Sequence, residues 1–75
     1  MVEDNVKYGR VVWFNFKRGF GFIQPDLGGA DIFLYYSDLV MEGFKTVNKD
    51  QRVSYEVGMN IRGQPKAISV KIIHS

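Results

Sequence analysis

Cysteine is absent from the 75 residues, and histidine occurs once, at His74. Without thiols there is neither a disulfide framework nor a thiolate metal site, so a packed core has to stabilise the chain. One imidazole does not make a zinc centre, and no metal is expected. The same shortage removes the usual members of a nucleophile-plus-base pair. Asp26, Asp31 and Asp38 stand at turns and strand ends, where carboxylates brace backbone rather than work in acid–base pairs. The Gly28-Gly29 pair belongs to a loop, and no phosphate cradle of the Walker kind is present. The chain therefore reads as a non-enzyme without a cofactor, and any action on a partner is passive.

Long apolar runs are also missing. None approaches the roughly 20 residues of a membrane span. Met1 to Asn5 lacks the basic start and apolar stretch of a secretory signal, so a soluble, cytoplasmic chain without membrane contact is expected. Charge of one sign is scarce as well: ten Lys and Arg against eight Asp and Glu give +2. So small an excess says little about partners, and placement matters more than the sum. Length and 45% hydrophobic content indicate one domain over residues 1–75, with its core in about 6–73, read as a monomer. It lies near the lower limit at which a core sustains itself.

What is plentiful is aromatic. In Arg18-Gly19-Phe20-Gly21-Phe22-Ile23 rings and glycines take turns, and strand geometry puts Phe20 and Phe22 on one face with Gly19, Gly21 and Ile23 on the other. In Asp31-Ile32-Phe33-Leu34-Tyr35-Tyr36, Phe33 and Tyr35 share one parity and Ile32 and Leu34 the other. Both parities are apolar, unlike an ordinary half-buried strand. Either both faces are buried in a sandwich, or the aliphatic face is core and the rings form an exposed platform. A chain this short has little material for a second layer, which favours the platform, and exposed apolar patches of that kind mark binding sites.

Five extended segments follow from turn signals and alternation: about Val6–Asn15, Arg18–Gln24, Ala30–Tyr36, Arg52–Val57 and Lys66–Ile73. In the fourth, Val53, Tyr55 and Val57 face the core; in the fifth, Ile68, Val70 and Ile72 share a parity against Ala67, Ser69 and Lys71. The Ser37–Asp50 connection is long and polar, with room for one helical turn near Ser37–Val40 that Ser37 would cap. Short strands, one long connection and no core helix indicate an all-β fold, a five-stranded antiparallel Greek-key barrel of OB type. Val11-Val12-Trp13-Phe14 does not alternate, so parity leaves Trp13 open between core and surface. A bulge there would let Trp13 and Phe14 edge onto the platform.

Lys17, Arg18, Lys45 and Arg62 each read alone as solvated surface charges. As a rim to the aromatic face they acquire a role, because rings stack on nucleobases of any sequence while cations hold the phosphates. Arg18, by alternation, shares the parity of Phe20 and Phe22. A protein-interaction barrel taking a proline-rich peptide in the same groove is the competing reading.

Four blocks in order carry a resemblance: Val12-Trp13-Phe14-Asn15, Arg18 to Ile23, Asp31 to Tyr36, and Glu42-Gly43-Phe44-Lys45-Thr46. Over about residues 6–73 the chain resembles a cold-shock domain. The Arg18 block is similar to that family's first ribonucleoprotein motif, with Arg for the usual Lys, and the Asp31 block to its second. An RNA recognition motif shares the RGFGF pattern but needs two helices and places its partner strand earlier. The resemblance implies an OB-type barrel that binds single-stranded RNA or DNA with limited sequence preference and acts as an RNA chaperone. It implies stacking by Trp13, Phe20, Phe22, Phe33, Tyr35, Tyr36 and Phe44, cations at Arg18 and Arg62, and Asn15, Asp31 and Lys45 near the groove. The chain departs from the family at Val12, usually Lys, at Tyr35, usually His, and at Tyr36, often Phe. An extra residue follows Gly63, and Phe16 is unusual for its turn.

Overall fold

In a computed structural model, residues 5–73 are described, and the acidic start before Asn5 and His74 lie outside them. The strands are β1 (Lys7–Asn15), β2 (Phe20–Pro25), β3 (Ile32–Tyr35), β4 (Arg52–Met59) and β5 (Pro65–Ile72), with one 3-10 turn at Tyr36–Asp38. They close into a barrel in the order β1-β2-β3-β5-β4. Four seams are antiparallel; the fifth, between β3 and β5, runs parallel, pairing Phe33 with Lys66 and Leu34 with Ala67. The long connection after β3 delivers β4 and β5 to the far side, and only a parallel seam closes the sheet there.

The hairpin between β1 and β2 is built by its own residues. Asn15 accepts at Oδ1 from the backbone N–H of Lys17 and Arg18, both at 3.0 Å, and the Gly19 N–H donates to the Asn15 carbonyl at 2.7 Å. Gly19 has φ +77°, a conformation that costs a residue with a Cβ about 1 kcal/mol or more. This turn takes up Lys17 and Arg18, so β2 begins at Phe20 and Arg18 does not share strand parity with the rings.

Inside lie Val11, Ile23, Ile32, Leu34, Leu39, Val47, Val53, Tyr55, Ala67 and Val70, with Phe14, Met41 and Ile72 packed against them. The inward parity of β2 and β3 is thus the aliphatic one, and each fully buried branched side chain contributes about 1.5–3 kcal/mol. Leu39 and Val47, from the long connection, join this core, and the Val40 N–H donates to the Val70 carbonyl at 2.8 Å.

Two bulges reset the alternation. In β1 Val11 opposes Ile23 and Trp13 opposes Phe22, leaving Val12 as the extra residue. Trp13, which would otherwise follow Val11 inward, turns outward, and Phe14 turns in opposite Gly21. Only Trp13 therefore reaches the platform. A Cβ at Gly21 would fall on the Trp13 carbonyl oxygen and lie 2.9 Å from Phe14 Cα, so the glycine makes room for this crossing. In β5 the pairing steps from Ser54–Lys71 to Glu56–Ile68, with Ser69 at φ +51°. Ala67 and Val70 consequently both face inward, and the regular parity expected for Ile68, Val70 and Ile72 does not hold. Val57 has the inward parity of β4 but is 46% exposed, because it borders an open cleft lined also by Tyr8, Leu27 and Pro65. Ser37 lies inside the 3-10 turn and does not cap it; Tyr35 holds the cap position with no side-chain hydrogen bond.

Candidate nucleic-acid interface

The outward parity of β2 and β3 carries the rings. Phe20 stands directly across from Tyr35, and Phe22 from Phe33, so register alone puts four rings on one side. Trp13 joins through the bulge, its ring 5.4 Å from Phe20 and 5.8 Å from Phe22, edge-on to both. Phe33 is the hub, 5.8 Å from Phe20 at an interplanar angle of 22°, 5.9 Å from Phe22 at 78°, and 6.4 Å from Tyr35 at 14°. Tyr36 extends the row at 4.9 Å from Tyr35. None of the six belongs to the buried core, and Trp13 is 41% exposed.

Beyond Tyr36 the row opens into a groove of about 540 Å³. Its walls are Phe16, Lys17, Arg18 and Gly19 from the β1–β2 turn and Gly43, Phe44 and Lys45 from the long connection, with Tyr36 between them. The Tyr36 N–H donates to the Gly19 carbonyl at 2.7 Å, and a Cβ on Gly19 would lie 2.7 Å from the Tyr36 ring, so the turn and the ring are seated together. Phe16 and Phe44 meet edge to face at 6.3 Å. Lys17, Arg18 and Lys45 supply three positive charges, and among the described residues no carboxylate lines this groove. Planar faces beside a cation cluster match the stacking and phosphate needs of a nucleic-acid strand.

Of the eleven residues singled out in the sequence, Trp13, Phe20, Phe22, Phe33, Tyr35 and Tyr36 share the platform, while Lys17, Arg18, Phe44 and Lys45 share the groove. Arg62 is not brought to either by any described contact. It stands exposed in the β4–β5 turn, where Asn60 Oδ1 accepts from the Arg62 and Gln64 N–H groups at 2.9 Å each. Sequence reasoning did not single out Lys66, which lies beside Phe33 across the parallel seam, its Nζ 3.2 Å from Asp38 Oδ2. That contact is an ion pair without hydrogen-bond alignment, since the same Asp38 oxygen has no hydrogen-bond partner. No local pattern announces Lys66, because the neighbour that gives it meaning is more than thirty positions away.

The remaining electrostatic features lie elsewhere. Arg52 donates to both oxygens of Asp26, at 2.5 and 2.7 Å. These bonds, with the positive charges of Arg52 and Arg10, hold the Asp26 carboxyl below its usual range against some loss of hydration. Burial raises the Tyr55 phenol, and the Asp26 charge adds to it. Both residues border a second, mainly apolar cleft of about 640 Å³ near Tyr8, Pro25 and Ile32, which contains none of the platform rings. Among the described residues there is no cluster of His, Cys, Asp or Glu able to hold a metal, and no helix long and apolar enough to cross a membrane.

Comparison with known proteins converges on one family. The family model described as the "'Cold-shock' DNA-binding domain" matches residues 7–73. The chain is 45% identical over 65 residues to "Probable cold shock protein A" of Mycolicibacterium smegmatis, covering 87% of this chain and 96% of that one. It is 48% identical over 62 residues to "Cold shock-like protein CspA" of Vibrio cholerae, covering 83% and 87%. The solved structure "drosophila Unr CSD456" superposes with a TM-score of 0.77 at 17% identity; the match spans 95% of this chain but only 28% of that longer one, and it bears on the fold alone. With the barrel, the outward rings and the matching blocks in place, the chain belongs to the cold-shock domain family of nucleic-acid-binding proteins.

Proposed function

We propose that the protein binds single-stranded RNA or DNA across the outer face of β1, β2 and β3, and that it acts as a passive nucleic-acid chaperone. The observation that carries this reading is the unbroken row of six outward rings leading into a groove with three cations. Bases stack on Trp13, Phe20, Phe22, Phe33, Tyr35 and Tyr36, and on Phe44 at the far end. Lys17, Arg18 and Lys45 take the phosphates, with Arg62 reaching a longer strand from its own turn. A proline-rich peptide has use for the rings but none for three cations that have no ion-pair partner among the described residues, so the arrangement favours a polyanion.

Unpaired strands expose base faces and duplexes hide them, so binding pulls breathing hairpins open by RT ln(1 + [L]/Kd), without nucleotide hydrolysis. The closed barrel leaves no open edge for β-pairing between copies, which supports a monomer. The lack of cysteine suits a reducing cytoplasm. The test is a titration of matched single- and double-stranded RNA and DNA followed by Trp13 emission. Quenching by the single strands at micromolar protein is expected. Equal binding of duplexes, or quenching by a proline-rich peptide instead, refutes the reading.

A further inference from the structure

Phe16 is an aromatic side chain in the middle of a tight polar turn, a position where ring burial offers nothing. It is 59% exposed, and its sole ring contact among the described residues is the 6.3 Å edge contact with Phe44, itself 71% exposed. Two large apolar side chains held so openly against each other are unexplained by the core, which neither joins. Their groove has Lys17, Arg18 and Lys45 along it, and Tyr36 links it to the ring row. A strand lying on the platform and continuing past Tyr36 runs into this groove.

We propose that Phe16 and the groove cations form an additional nucleotide subsite, in which the Phe16 ring stacks one further base and Lys17, with Arg18 and Lys45, takes its phosphate. The inference rests on the nucleic-acid reading of the platform and lengthens that site at its Tyr36 end. The two rings now meet at an interplanar angle of 71°, so a base enters by replacing the edge of Phe44 against the face of Phe16. Both side chains are exposed enough to turn without disturbing the core. One edge contact is exchanged for one stacked face, so the net gain sits at the low end of base–aromatic stacking.

The experiment is a ladder of oligo-dT from about three to about ten nucleotides, which brackets the shorter OB-fold sites, titrated into wild type, F16L, F16A and F16Y and read by Trp13 quenching. Leu keeps apolar bulk without a plane, whereas Tyr keeps the plane. F16L and F16A are expected to match wild type on the shortest oligonucleotides that bind and to lose about 5- to 20-fold on the longer ones, while F16Y retains wild-type affinity throughout. Urea midpoints should coincide, because the side chain is outside the core. Equal affinities of all four proteins at every length overturn the subsite and leave the platform standing. A loss of the same size at every length, or one F16Y shares, also overturns it, since the effect would then lie in the turn. If wild type binds no member of the ladder, the platform reading fails first and the subsite with it.

Discussion

Truncating Phe33 to alanine separates a binding platform from a core better than any other single change. The ring touches Phe20, Phe22 and Tyr35 at 5.8, 5.9 and 6.4 Å, is partly buried, and lies outside the packed interior. Each aromatic pair is worth about 0.5–1.5 kcal/mol beyond area burial. For rings that remain wet on one side the lower end applies, and three contacts together with the partial burial the ring loses come to about 2–3 kcal/mol of lost stability. A buried aromatic would cost about 3–5 kcal/mol, comparable with the whole stability of so small a domain. The variant should therefore stay largely folded at low temperature. Binding suffers at least as much as stability: one stacked base is lost, worth about 1–3 kcal/mol, and Phe20 and Tyr35 lose the neighbour that keeps their planes within 22° and 14° of it. A loss of about 2–4 kcal/mol, or roughly 30- to 900-fold in Kd, is expected. Phe44→Ala, which removes a ring with one partner, should cost about 1–2 kcal/mol of binding and almost no stability. Urea unfolding and oligo-dT titration by Trp13 emission, corrected for unfolded protein, measure both quantities. If Phe33→Ala unfolds the chain as a core truncation would, or folds and binds undiminished, the platform argument is wrong.

Gly21→Ala should cost at least about 3 kcal/mol and leave little folded protein by circular dichroism, because the new methyl meets β1 backbone that cannot move aside. Binding should weaken with salt at a logarithmic slope of about 2 to 3, reflecting three groove cations, and Lys45→Ala should lower that slope by about 0.7. Stability should be level around neutral pH and fall at both extremes, as urea midpoints across pH would show. Asp26 is lowered in the fold, so its contribution is present above the ordinary 3.8 and is lost as pH drops through the lowered value. Tyr55 is raised, so its contribution is present below the ordinary 10.0 and is lost at higher pH, where the unfolded phenol ionises first; Tyr55→Phe should remove that alkaline part. Affinity should stay flat between about pH 5.5 and 8, since none of the proposed contact residues is a histidine; an inflection there would refute this.

Much was determined by local sequence. Strict alternation in Phe20–Ile23 and Ile32–Tyr35 sorts rings from aliphatics, since side chains on a pleated strand have no other choice of face, and the observed interior takes the aliphatic set. Turn signals after Asn15 made the first hairpin legible, but the turn runs on through Arg18 and Gly19, which alternation had placed in the second strand. Tertiary structure decided the rest wherever partners are distant or the alternation slips. Val12 becomes the bulged residue only because β1 must pair with β2, and that slip sends Trp13 out and Phe14 in. Ser69 does the same for Ala67 and Val70. The parallel seam brings Lys66 to Phe33, and the long connection swings Phe44 and Lys45 across to Phe16 and Arg18. Periodicity is a property of neighbouring residues, whereas these placements come from closing a barrel, a condition that the whole chain satisfies at once.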